Sequence, residues 1–462
     1  MEEYLKKVME QIRCKKVHSY IERELRDHME DQIQENISDG MSQEEAVALA
    51  VKDMGDPVEA GMMLDRIHRP QIAWKMLLLI GMISIAGVFI HTMIRRLPET
   101  EGAVYDMITS SSGNYLKYVC IGILIMTALC WMDYTRIVRF SRIIAAAMIA
   151  IGFISLRYGL QINGASGWIK LEGVILPVRL LMLLYVPVYG GVLYKYYAKG
   201  YKGLLTAVVW MMIPVFQVLR MPYVVNAFLM LISMLVMLTA ALRLDWFKVS
   251  GKFTVAALWL SVGGLPFLGF AVSCFGNGLQ SYQVMRIKAF LTNSGEANYL
   301  TSVVRELLSS SKFVGNSGVN VVDRVADANS DYLLTYLSST YGLLAAIAIC
   351  GVIAALIFYI FWISRKQSNQ LGMIMGIGCG MIFIVSFVLN ILVNMGAVPP
   401  TTTFLPFLSA GGGQIIVSYA LAGVILSVYR FKNIYPRHSS LPQERTIEGI
   451  LPKFSSRNIS NG

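Results

Sequence analysis

The chain has 462 residues, of which 55% are hydrophobic and only 15% are charged, and its mean hydropathy is +0.55. These values exclude an ordinary water-soluble protein and are typical of a chain that crosses a membrane several times. The net charge of +11 is explained by basic loops on one side of that membrane, so nucleic acid is not required as a partner.

Residues 1–70 precede the first apolar stretch, and their pattern predicts a small helical domain. Apolar residues recur at helical spacing over residues 5–33, and Gly40 ends that helix. A capping box at Ser42–Glu45 begins a second helix, and Asp56-Pro57 supplies the cap and the first-turn proline of a third. We therefore expect a three-helix domain over residues 1–70, on the cytosolic side of the membrane.

In this domain, His18, His28 and the string Met54-Gly55-Asp56-Pro57 resemble the prefix domain that precedes some bacterial permeases and sensor proteins, the HAAS type. The resemblance implies a regulatory or interaction module without chemistry of its own. The two histidines have no evident third ligand, which favours surface or packing roles over a metal site.

After residue 70, ten apolar stretches are long enough, at about 20 residues each, to cross a bilayer of roughly 30 Å. We expect ten transmembrane helices over residues 71–430, and hence an all-α fold. The stretches lie near residues 72–92, 115–132, 138–157, 174–194, 203–219, 223–242, 253–275, 332–363, 371–396 and 411–429.

The basic residues between these stretches predict the orientation of the chain. Lys and Arg cluster after the second, fourth, sixth, eighth and tenth stretches, which fall on one side if the chain alternates. Both termini are then cytoplasmic, and the long loop over residues 276–331 faces outward. The tail over residues 431–462 is polar and contains several prolines, which predicts disorder.

The most informative stretch, Asn390–Gln414, reads NILVNMGAVPPTTTFLPFLSAGGGQ and interrupts the last two apolar segments. Proline-broken, hydroxyl-rich backbone at membrane depth is tolerated only where it is buried in protein or lines a wet cavity. The hydroxyls of Thr401 and Ser409 suit a ligand phosphate, or the backbone groups that Pro399 leaves unpaired, and both roles stay open. This interrupted hairpin is therefore a candidate site.

The same stretch resembles the C-terminal signature of the SEDS family (shape, elongation, division and sporulation; the FtsW/RodA/SpoVE type). That signature is roughly N-I-x4-G-x2-P-x-T-G-x2-LPF-x-S-x-GG. The residues in register are Asn390, Ile391, Gly396, Pro399, Thr401, Leu405, Pro406, Phe407, Ser409, Gly411 and Gly412. Over residues 72–430 the resemblance implies a SEDS-like helical bundle that transfers sugars of the bacterial cell wall.

The end of the outward loop supplies a candidate catalytic residue. Asn329-Ser330-Asp331-Tyr332 resembles the family's H-T-D-F stretch, whose aspartate is held to be essential for sugar transfer. The resemblance implies that Asp331 is a general base on an exposed face at the membrane boundary. From the residues alone, Asp331 is equally suited to cap the eighth segment.

The same loop is rich in cations that suit a leaving diphosphate, although each also fits a solvated loop charge. They are Arg286, Lys288, Arg305, Lys312 and Arg324. Upstream of them, Tyr282-Gln283 resembles the Tyr-Gln pair with which this loop opens in the family.

The chain departs from the family pattern at several charged positions. Leu176-Pro177-Val178-Arg179 stands where the family has Q-P-S-E, and Met182 replaces a lysine. Tyr223 replaces the aspartate of P-D-L-G-T-A, and Ser339-Thr340 replaces a pair of glutamates. Intramembrane ionisable groups are usually functional, so these losses favour a non-catalytic alternative.

Our prediction from the sequence is a peptidoglycan glycosyltransferase that polymerises lipid II, a lipid-linked disaccharide-pentapeptide, at the outer face of a bacterial plasma membrane. It would act in cell division, elongation or sporulation, with a class B penicillin-binding transpeptidase as the usual partner. The alternatives are a non-catalytic scaffold or regulator of envelope assembly and, third, a precursor flippase or transporter. The cofactor stays undetermined, with a divalent cation such as Mg as a candidate, and no metal site is predicted.

The predicted site residues fall into three groups. They are the catalytic Asp331; the substrate-binding Gln283, Arg286, Lys288, Lys312, Asn390, Thr401 and Ser409; and the structural Pro399, Pro406, Gly411 and Gly412.

Overall fold

In the computed structural model of the chain, the described residues are 1–96, 103–162, 165–172, 174–264, 290, 292 and 298–434. Residues 1–70 form four helices rather than the expected three: α1 Glu2–Gln11, α2 His18–Ser38, α3 Gln43–Asp53 and α4 Pro57–His68. The capping box of α3 and the aspartate cap of α4 are confirmed.

The first predicted helix is divided because the chain turns back after α1. The Arg13 guanidinium lies 2.6 Å from the Asp65 carboxylate of α4, and the backbone N–H of Arg13 donates to the same carboxylate at 3.0 Å. This pairing holds α1 against α4. A continuous helix over residues 5–33 would carry Arg13 away from Asp65.

The N-terminal helices contact the membrane-embedded part through polar groups. Lys16 Nζ donates to the Asp133 carboxylate at 2.5 Å. Near the other end of the chain, a ring nitrogen of His68 lies 2.6 Å from the carbonyl oxygen of Asn433, whose amide in turn donates to the carbonyl of Ile67 at 3.0 Å. Hydrogen bonds and an ion pair therefore join the two parts of the chain.

The membrane-embedded part follows in chain order. Its helices are α5 Trp74–Arg95, α6 Ala103–Gly113, α7 Tyr115–Trp131, α8 Tyr134–Arg139, α9 Ser141–Tyr158, α10 Val178–Leu181, α11 Tyr185–Tyr194, α12 Gly200–Arg220, α13 Val224–Arg243, α14 Gly251–Leu258, α15 Tyr299–Ser310, α16 Leu333–Thr340, α17 Leu343–Arg365, α18 Gln370–Asn394 and α19 Gly412–Arg430. A 3-10 turn at Met182–Leu184 joins α10 to α11, and a π-helical turn at Trp259–Gly264 extends α14.

In the described part of the chain, 7 of these helices are long and apolar enough to cross a membrane: α5, α9, α12, α13, α17, α18 and α19. Two shorter apolar runs, Tyr115–Trp131 and Val178–Tyr194, match the second and fourth expected stretches. Residues 265–275 of the seventh expected stretch and the tail after residue 434 lie outside the described residues. A polytopic helical bundle is therefore confirmed, and the count of ten stays a prediction.

The expected helical fold is confirmed, and it carries one local addition, a small antiparallel sheet formed by residues 160–177. Its strands β1 Leu160–Ile162, β2 Ala165–Leu171 and β3 Val174–Pro177 lie in the order β1-β2-β3, with Trp168 opposite Pro177. Short segments separated by glycines suit such a meander better than a helix.

The long eighth stretch is broken in two by Gly342. This residue has a φ of 102°, and a Cβ at its position would lie 2.8 Å from the carbonyl oxygen of Phe313 and from Cα of Val314. Only glycine fits both the backbone angle and the space. The break separates α16, which is buried, from α17, most of whose surface faces outward.

Helix α19 occupies the centre of the bundle, since 78% of the residues in its most apolar 18-residue stretch are buried. It lies close to α7 because small residues face large ones across the contact. A Cβ at Gly122 would lie 2.3 Å from the Tyr419 ring, and one at Gly423 would lie 2.8 Å from Leu129. Such close approach through glycine is the usual way in which membrane helices associate.

Candidate active site

The interrupted hairpin predicted between Asn390 and Gln414 is present. Helix α18 ends at Asn394, residues 395–411 are not helical, and α19 begins at Gly412. The stretch from Phe404 to Ala410 is nevertheless buried. Buried backbone needs hydrogen-bond partners, and distant side chains supply them here.

Three such bonds hold the turn around Leu-Pro-Phe. The Tyr115 hydroxyl donates to the carbonyl of Phe407 at 2.7 Å, and His91 Nε2 donates to the carbonyl of Leu408 at 2.8 Å. The backbone N–H of Leu405 donates to the Ser409 hydroxyl at 2.8 Å. The turn is thus anchored to α5 and α7 as well as to itself.

Phe407 adopts a φ of 66°, a conformation that is strained for a non-glycine residue. Its ring stacks on Phe383 with centroids 5.5 Å apart and meets Tyr419 edge-on at 5.1 Å. The packing compensates the strain, and the strained turn fixes the direction in which Ser409 points.

Asp331 lies directly against this hairpin. The side-chain amide of Asn390 donates to its backbone carbonyl at 3.0 Å, and that of Asn394 donates to the same oxygen at 2.9 Å. Both asparagines are on α18, one turn apart, so they form a fixed clamp. Asn394 is fixed in turn by Thr335, whose N–H and hydroxyl donate to its side-chain oxygen at 2.9 and 2.8 Å.

The Asp331 carboxyl is buried, and the prediction of an exposed face is wrong: the residue is only 7% accessible. Burial, with a smaller contribution from the charge of Asp327, raises the pKa of this carboxyl to about 8. The charge of Arg179, the backbone N–H of Thr403 and the Ser330 hydroxyl act in the opposite direction. A carboxyl with this pKa exchanges a proton near neutral pH, as a general base must.

The alternative role for Asp331, as a helix cap, is not supported. The N-cap of α16 is Tyr332, and no side chain caps that helix. The backbone N–H of Thr403, in the hairpin, instead lies near enough to the Asp331 carboxyl to lower its pKa.

Neighbouring residues tie the Asp331 loop to the rest of the bundle. The Ser409 hydroxyl donates to the carbonyl of Ser330 at 2.9 Å, and the N–H of Ala410 donates to the carbonyl of Asn329 at 3.0 Å. The Asn329 amide also donates to the hydroxyl of Ser112 in α6 at 2.9 Å. The outward loop and the hairpin therefore form one connected unit.

The structure brings two of the predicted hairpin residues, Asn390 and Ser409, together with Asp331. Thr401 is half-buried, and its hydroxyl has no hydrogen-bond partner among the described residues. Its expected place is taken by Thr403, which is buried and accepts a hydrogen bond from Asn390 at 3.0 Å. Sequence spacing could not separate these threonines, because both lie in a non-helical run.

The residues predicted to be structural have distinct surroundings. Pro399 follows the end of α18, and Pro406 lies in the Leu-Pro-Phe turn. A Cβ at Gly412 would lie 2.5 Å from the Tyr118 ring, whereas at Gly411 the nearest atoms belong to the flexible side chain of Gln414. Gly412 therefore serves close packing at the start of α19.

The predicted cations of the outward loop are not gathered around Asp331 in the described structure. Lys312 is exposed, and its carbonyl accepts the N–H of Leu343 at the start of α17. Arg305 donates through Nη2 to the carbonyl of Gly396 at 2.7 Å. Arg324 pairs with Glu306 at 2.7 Å. The predicted Gln283, Arg286 and Lys288 lie outside the described residues.

An apolar cavity of about 270 Å³ lies beside the clamp rather than around the carboxyl. Asn394 and Thr335 contribute its polar rim, and its walls come from α15 to α18, including Leu334, Ile391 and Met395. Asp331 is not among the lining residues. The cavity is thus separated from Asp331 by the asparagine that holds it.

The described residues give a divalent cation few ligands at this site. No group of three His, Cys, Asp or Glu side chains lies together anywhere in that part of the chain. Near Asp331 the other charged side chains that act on it are Asp327 and the cationic Arg179. The positive charge of Arg179 already acts on this carboxyl and disfavours a further cation there, so no step below depends on Mg.

Comparison with known proteins agrees with this architecture. The chain is similar to the probable peptidoglycan glycosyltransferase FtsW of Borreliella burgdorferi, with 23% identity over 283 residues that span 58% of this chain and 72% of that protein. It is also similar to the corresponding protein of Trichlorobacter lovleyi, with 23% identity over 331 residues, 67% of this chain and 80% of that protein.

Among solved structures, a chain of a peptidoglycan synthase complex that coordinates polymerization and crosslinking aligns with a TM-score of 0.62 and 18% identity, over 78% of this chain and 98% of that one. The rod shape determining protein RodA of Thermus thermophilus aligns with a TM-score of 0.56 and 16% identity, over 78% and 97% of the two chains. At these identities the likeness concerns the fold. The family model of the FtsW/RodA/SpoVE cell cycle proteins matches residues 71–434. Because that match takes in most of the chain, the protein belongs to this family, the SEDS family.

Proposed function

We propose that this protein is a peptidoglycan glycosyltransferase that polymerises lipid II at the outer face of a bacterial plasma membrane, in division, elongation or sporulation. Family membership and the names of its relatives support the reaction class. The observation that carries the proposal is Asp331, whose backbone carbonyl is held by Asn390 and Asn394 and whose buried carboxyl has a pKa raised to about 8.

In the proposed reaction, a hydroxyl of the acceptor sugar attacks the anomeric carbon of the donor sugar. A new C–O bond forms as the bond from that carbon to the lipid diphosphate breaks, and the hydroxyl proton passes to Asp331. The diphosphate leaves with the electron pair of the broken bond. The contribution of Asp331 is to take up the proton at a fixed position, which is worth roughly 10²–10⁴ in rate for a general base.

The lipid part of the substrate needs an apolar path next to this site. The cavity beside Asn394 has walls of Leu334, Ile391 and Met395, and these side chains suit a hydrocarbon chain better than a sugar. We place both termini in the cytoplasm, as the basic loops indicate. A class B penicillin-binding transpeptidase is the proposed partner, since a similar chain occurs in a synthase complex that polymerises and crosslinks.

The test is polymerisation of lipid II by the purified full chain, measured as glycan strands with and without the transpeptidase. We expect polymer from the parent and a rate at least about 100-fold lower for Asp331→Asn. Asp323→Asn, an exposed aspartate of the same loop, is the matched control and should keep the parental rate.

The replacements at Met182, Ser339 and Thr340 favour one competing function, a non-catalytic scaffold. That function would be established if the folded parent made no polymer under either condition. Equal rates for the parent and Asp331→Asn would remove Asp331 from the chemistry.

A further inference from the structure

A partly buried arginine, Arg179, lies close enough to Asp331 for its charge to act on that carboxyl, and nothing described so far accounts for it. Arg179 is on the short helix α10, directly after the β-sheet, where the family pattern has a glutamate. Its guanidinium carbon lies 4.7 Å from the ring centroid of Tyr223 and 5.3 Å from that of Trp168. Tyr223 itself stands where the family pattern has an aspartate, so an arginine and an aromatic ring are in contact at two positions where that pattern has carboxylates.

We propose that Arg179 binds the diphosphate of the lipid-linked donor, a role that rests on the proposed function. A buried N–H group of a cationic side chain is costly unless it meets an acceptor, and a partly desolvated charge favours a nearby anion. In the described structure no carboxylate lies within ion-pair distance of Arg179, and its Nε is buried without a hydrogen-bond acceptor. The aromatic rings satisfy the faces of the guanidinium and leave its edge for an anion.

The guanidinium edge has the geometry that phosphate oxygens require. Arginine presents parallel N–H donors that bind phosphate in a bidentate manner, and aromatic rings against its faces restrict its orientation. The neighbouring amide of Asn226 donates to the Arg179 carbonyl at 3.1 Å, which ties α10 to α13. Arg179 is therefore held in position before any ligand arrives.

The surroundings of Arg179 are suited to an anion rather than to a second cation. Pro177 and Leu180 pack where a Cβ of Gly413 would lie, 2.7 and 2.8 Å away, so α10 contacts the first turn of α19. The N-terminus of α19 has no side-chain cap, and a helix N-terminus carries partial positive charge. On the other side, the Arg179 charge acts on the Asp331 carboxyl. A diphosphate bound here would place the leaving group within reach of the same site as the base.

Binding is measured first, because it does not depend on turnover. The probes are a polyprenyl diphosphate, the uncharged polyprenol of the same length and phosphatidylglycerol, each titrated against the purified full chain in detergent. We expect Arg179→Gln to weaken polyprenyl diphosphate binding by about tenfold or more and to leave polyprenol binding unchanged. Arg179→Lys keeps the charge but loses the parallel N–H donors of the guanidinium. Its affinity for polyprenyl diphosphate should therefore lie between those of the parent and Arg179→Gln.

The matched control is Arg157→Gln, since Arg157 also lies over an aromatic ring, Tyr158 at 5.5 Å, but is exposed at the end of α9. It should bind like the parent. Equal affinity of the parent and Arg179→Gln for polyprenyl diphosphate would overturn the proposal. The proposal would also be overturned if the parent bound phosphatidylglycerol as tightly as polyprenyl diphosphate, because the anion would then be an ordinary lipid headgroup. If polyprenol binding fell equally, Arg179 would be a structural residue only.

A second measurement follows the pH dependence of polymerisation. Four groups act on Asp331: Asp327 raises the pKa of its carboxyl, while Arg179, the Thr403 N–H and the Ser330 hydroxyl lower it. Arg179→Gln should therefore move the rising limb of the rate to higher pH. An unmoved limb would contradict the placement of Arg179 beside Asp331. A parent that binds diphosphate through Arg179 but makes no polymer would overturn the proposed function and leave this assignment intact.

Discussion

At the scale of single residues, Asp331 has a backbone carbonyl that is fixed by hydrogen bonds and a carboxyl that is buried away from water. Asn390 and Asn394 fix its carbonyl, so the side chain starts from a defined position. Burial then makes the charged form costly, and this raises the pKa of the carboxyl to about 8. The same packing that positions the group thus prepares it to accept a proton.

The rate of polymerisation should rise with pH and reach half its maximum near pH 8, because only the ionised Asp331 can accept the proton. The charge of Asp327 raises the pKa of Asp331, so Asp327→Asn should shift this rising limb to lower pH. The measurement is the rate with lipid II over pH 6–10. A limb that moves upward, or that stays in place, would contradict the assignment.

Folding stability should show the same ionisation with a defined sign. The carboxyl is protonated in both states well below 3.8, the ordinary pKa of an aspartate, and it ionises in the folded chain only near pH 8. The folded state therefore loses stability as pH rises from about 4 to about 8. Thermal unfolding of Asp331→Asn should match the parent at the acid end and occur at higher temperature than the parent at pH 9. A difference in unfolding temperature between the two proteins that appears only at low pH would contradict this prediction.

Thr403 and Thr401 form a matched pair for testing the hairpin. Thr403→Val leaves one of the two N–H groups of the Asn390 amide without an acceptor in a buried place, so we expect a loss of about 1–3 kcal/mol in unfolding free energy and slower turnover. Thr401→Val removes no described hydrogen bond and should change neither. The measurements are the unfolding free energy and the polymerisation rate of both variants. Equal effects of the two substitutions would mean that Thr403 has no role that Thr401 lacks.

At the scale of elements, the site depends on two places where helices stop. Helix α18 ends at Asn394 so that the hairpin can turn inward, and the eighth stretch breaks at Gly342 so that α16 can remain beside Asp331 while α17 runs away from it. Each break exposes backbone groups that other elements satisfy. The Gly342 break is fastened to the outward loop, since the N–H of Leu343 donates to the carbonyl of Lys312.

Gly342→Ala should destabilise the protein by about 1–3 kcal/mol, because an alanine is strained at a φ of 102° and its Cβ meets Phe313 and Val314. Gly351→Ala, in the middle of α17, is the control: a Cβ there has nothing within 4 Å. Thermal unfolding in detergent should show a lower midpoint for Gly342→Ala alone. A similar loss for both variants would mean that helix propensity, not the break, sets the effect.

At the scale of the whole molecule, α19 runs from the site to the N-terminal helices. It begins at Gly412, next to the hairpin, and the chain just beyond its end contacts His68 and Lys16 through Asn433 and Phe431. Leu5, Val8 and Met29 of the N-terminal helices are buried, and they belong to the same hydrophobic cluster as the bundle. We nevertheless predict that residues 1–70 fold as a separate unit, at the end of the bundle that the basic loops predict to be cytoplasmic.

Deletion of residues 2–70 should leave the bundle folded, since it removes a few hydrogen bonds to the bundle and the Lys16–Asp133 pair. We expect the thermal midpoint to fall by less than about 5 °C, which at roughly 1 kcal/mol per degree for a chain of this size is a loss of less than about 5 kcal/mol. Lys16→Met in the full chain tests the ion pair alone and should cost less. A fall of more than about 10 °C on deletion would show that these helices are integral to the bundle.

The membrane explains why so much of the fold is predictable from the order of the residues. A bilayer requires every backbone group to be paired within its own segment, so long apolar stretches become helices wherever they occur. The hairpin was predictable for a related reason, because the adjacent Pro399 and Pro400 interrupt a helix. The capping box at Ser42 and the proline after Asp56 are equally local signals, and both are confirmed.

Tertiary structure alone decided which of the polar residues meet. The burial of Asp331, the choice of Thr403 over Thr401, and the placing of Arg179 against Trp168 and Tyr223 all join segments that are separated in the chain. The break in the first predicted helix also depends on a distant partner, Asp65. Periodicity and spacing describe a residue's own segment, whereas these contacts depend on how segments pack, and packing is decided by the whole chain at once.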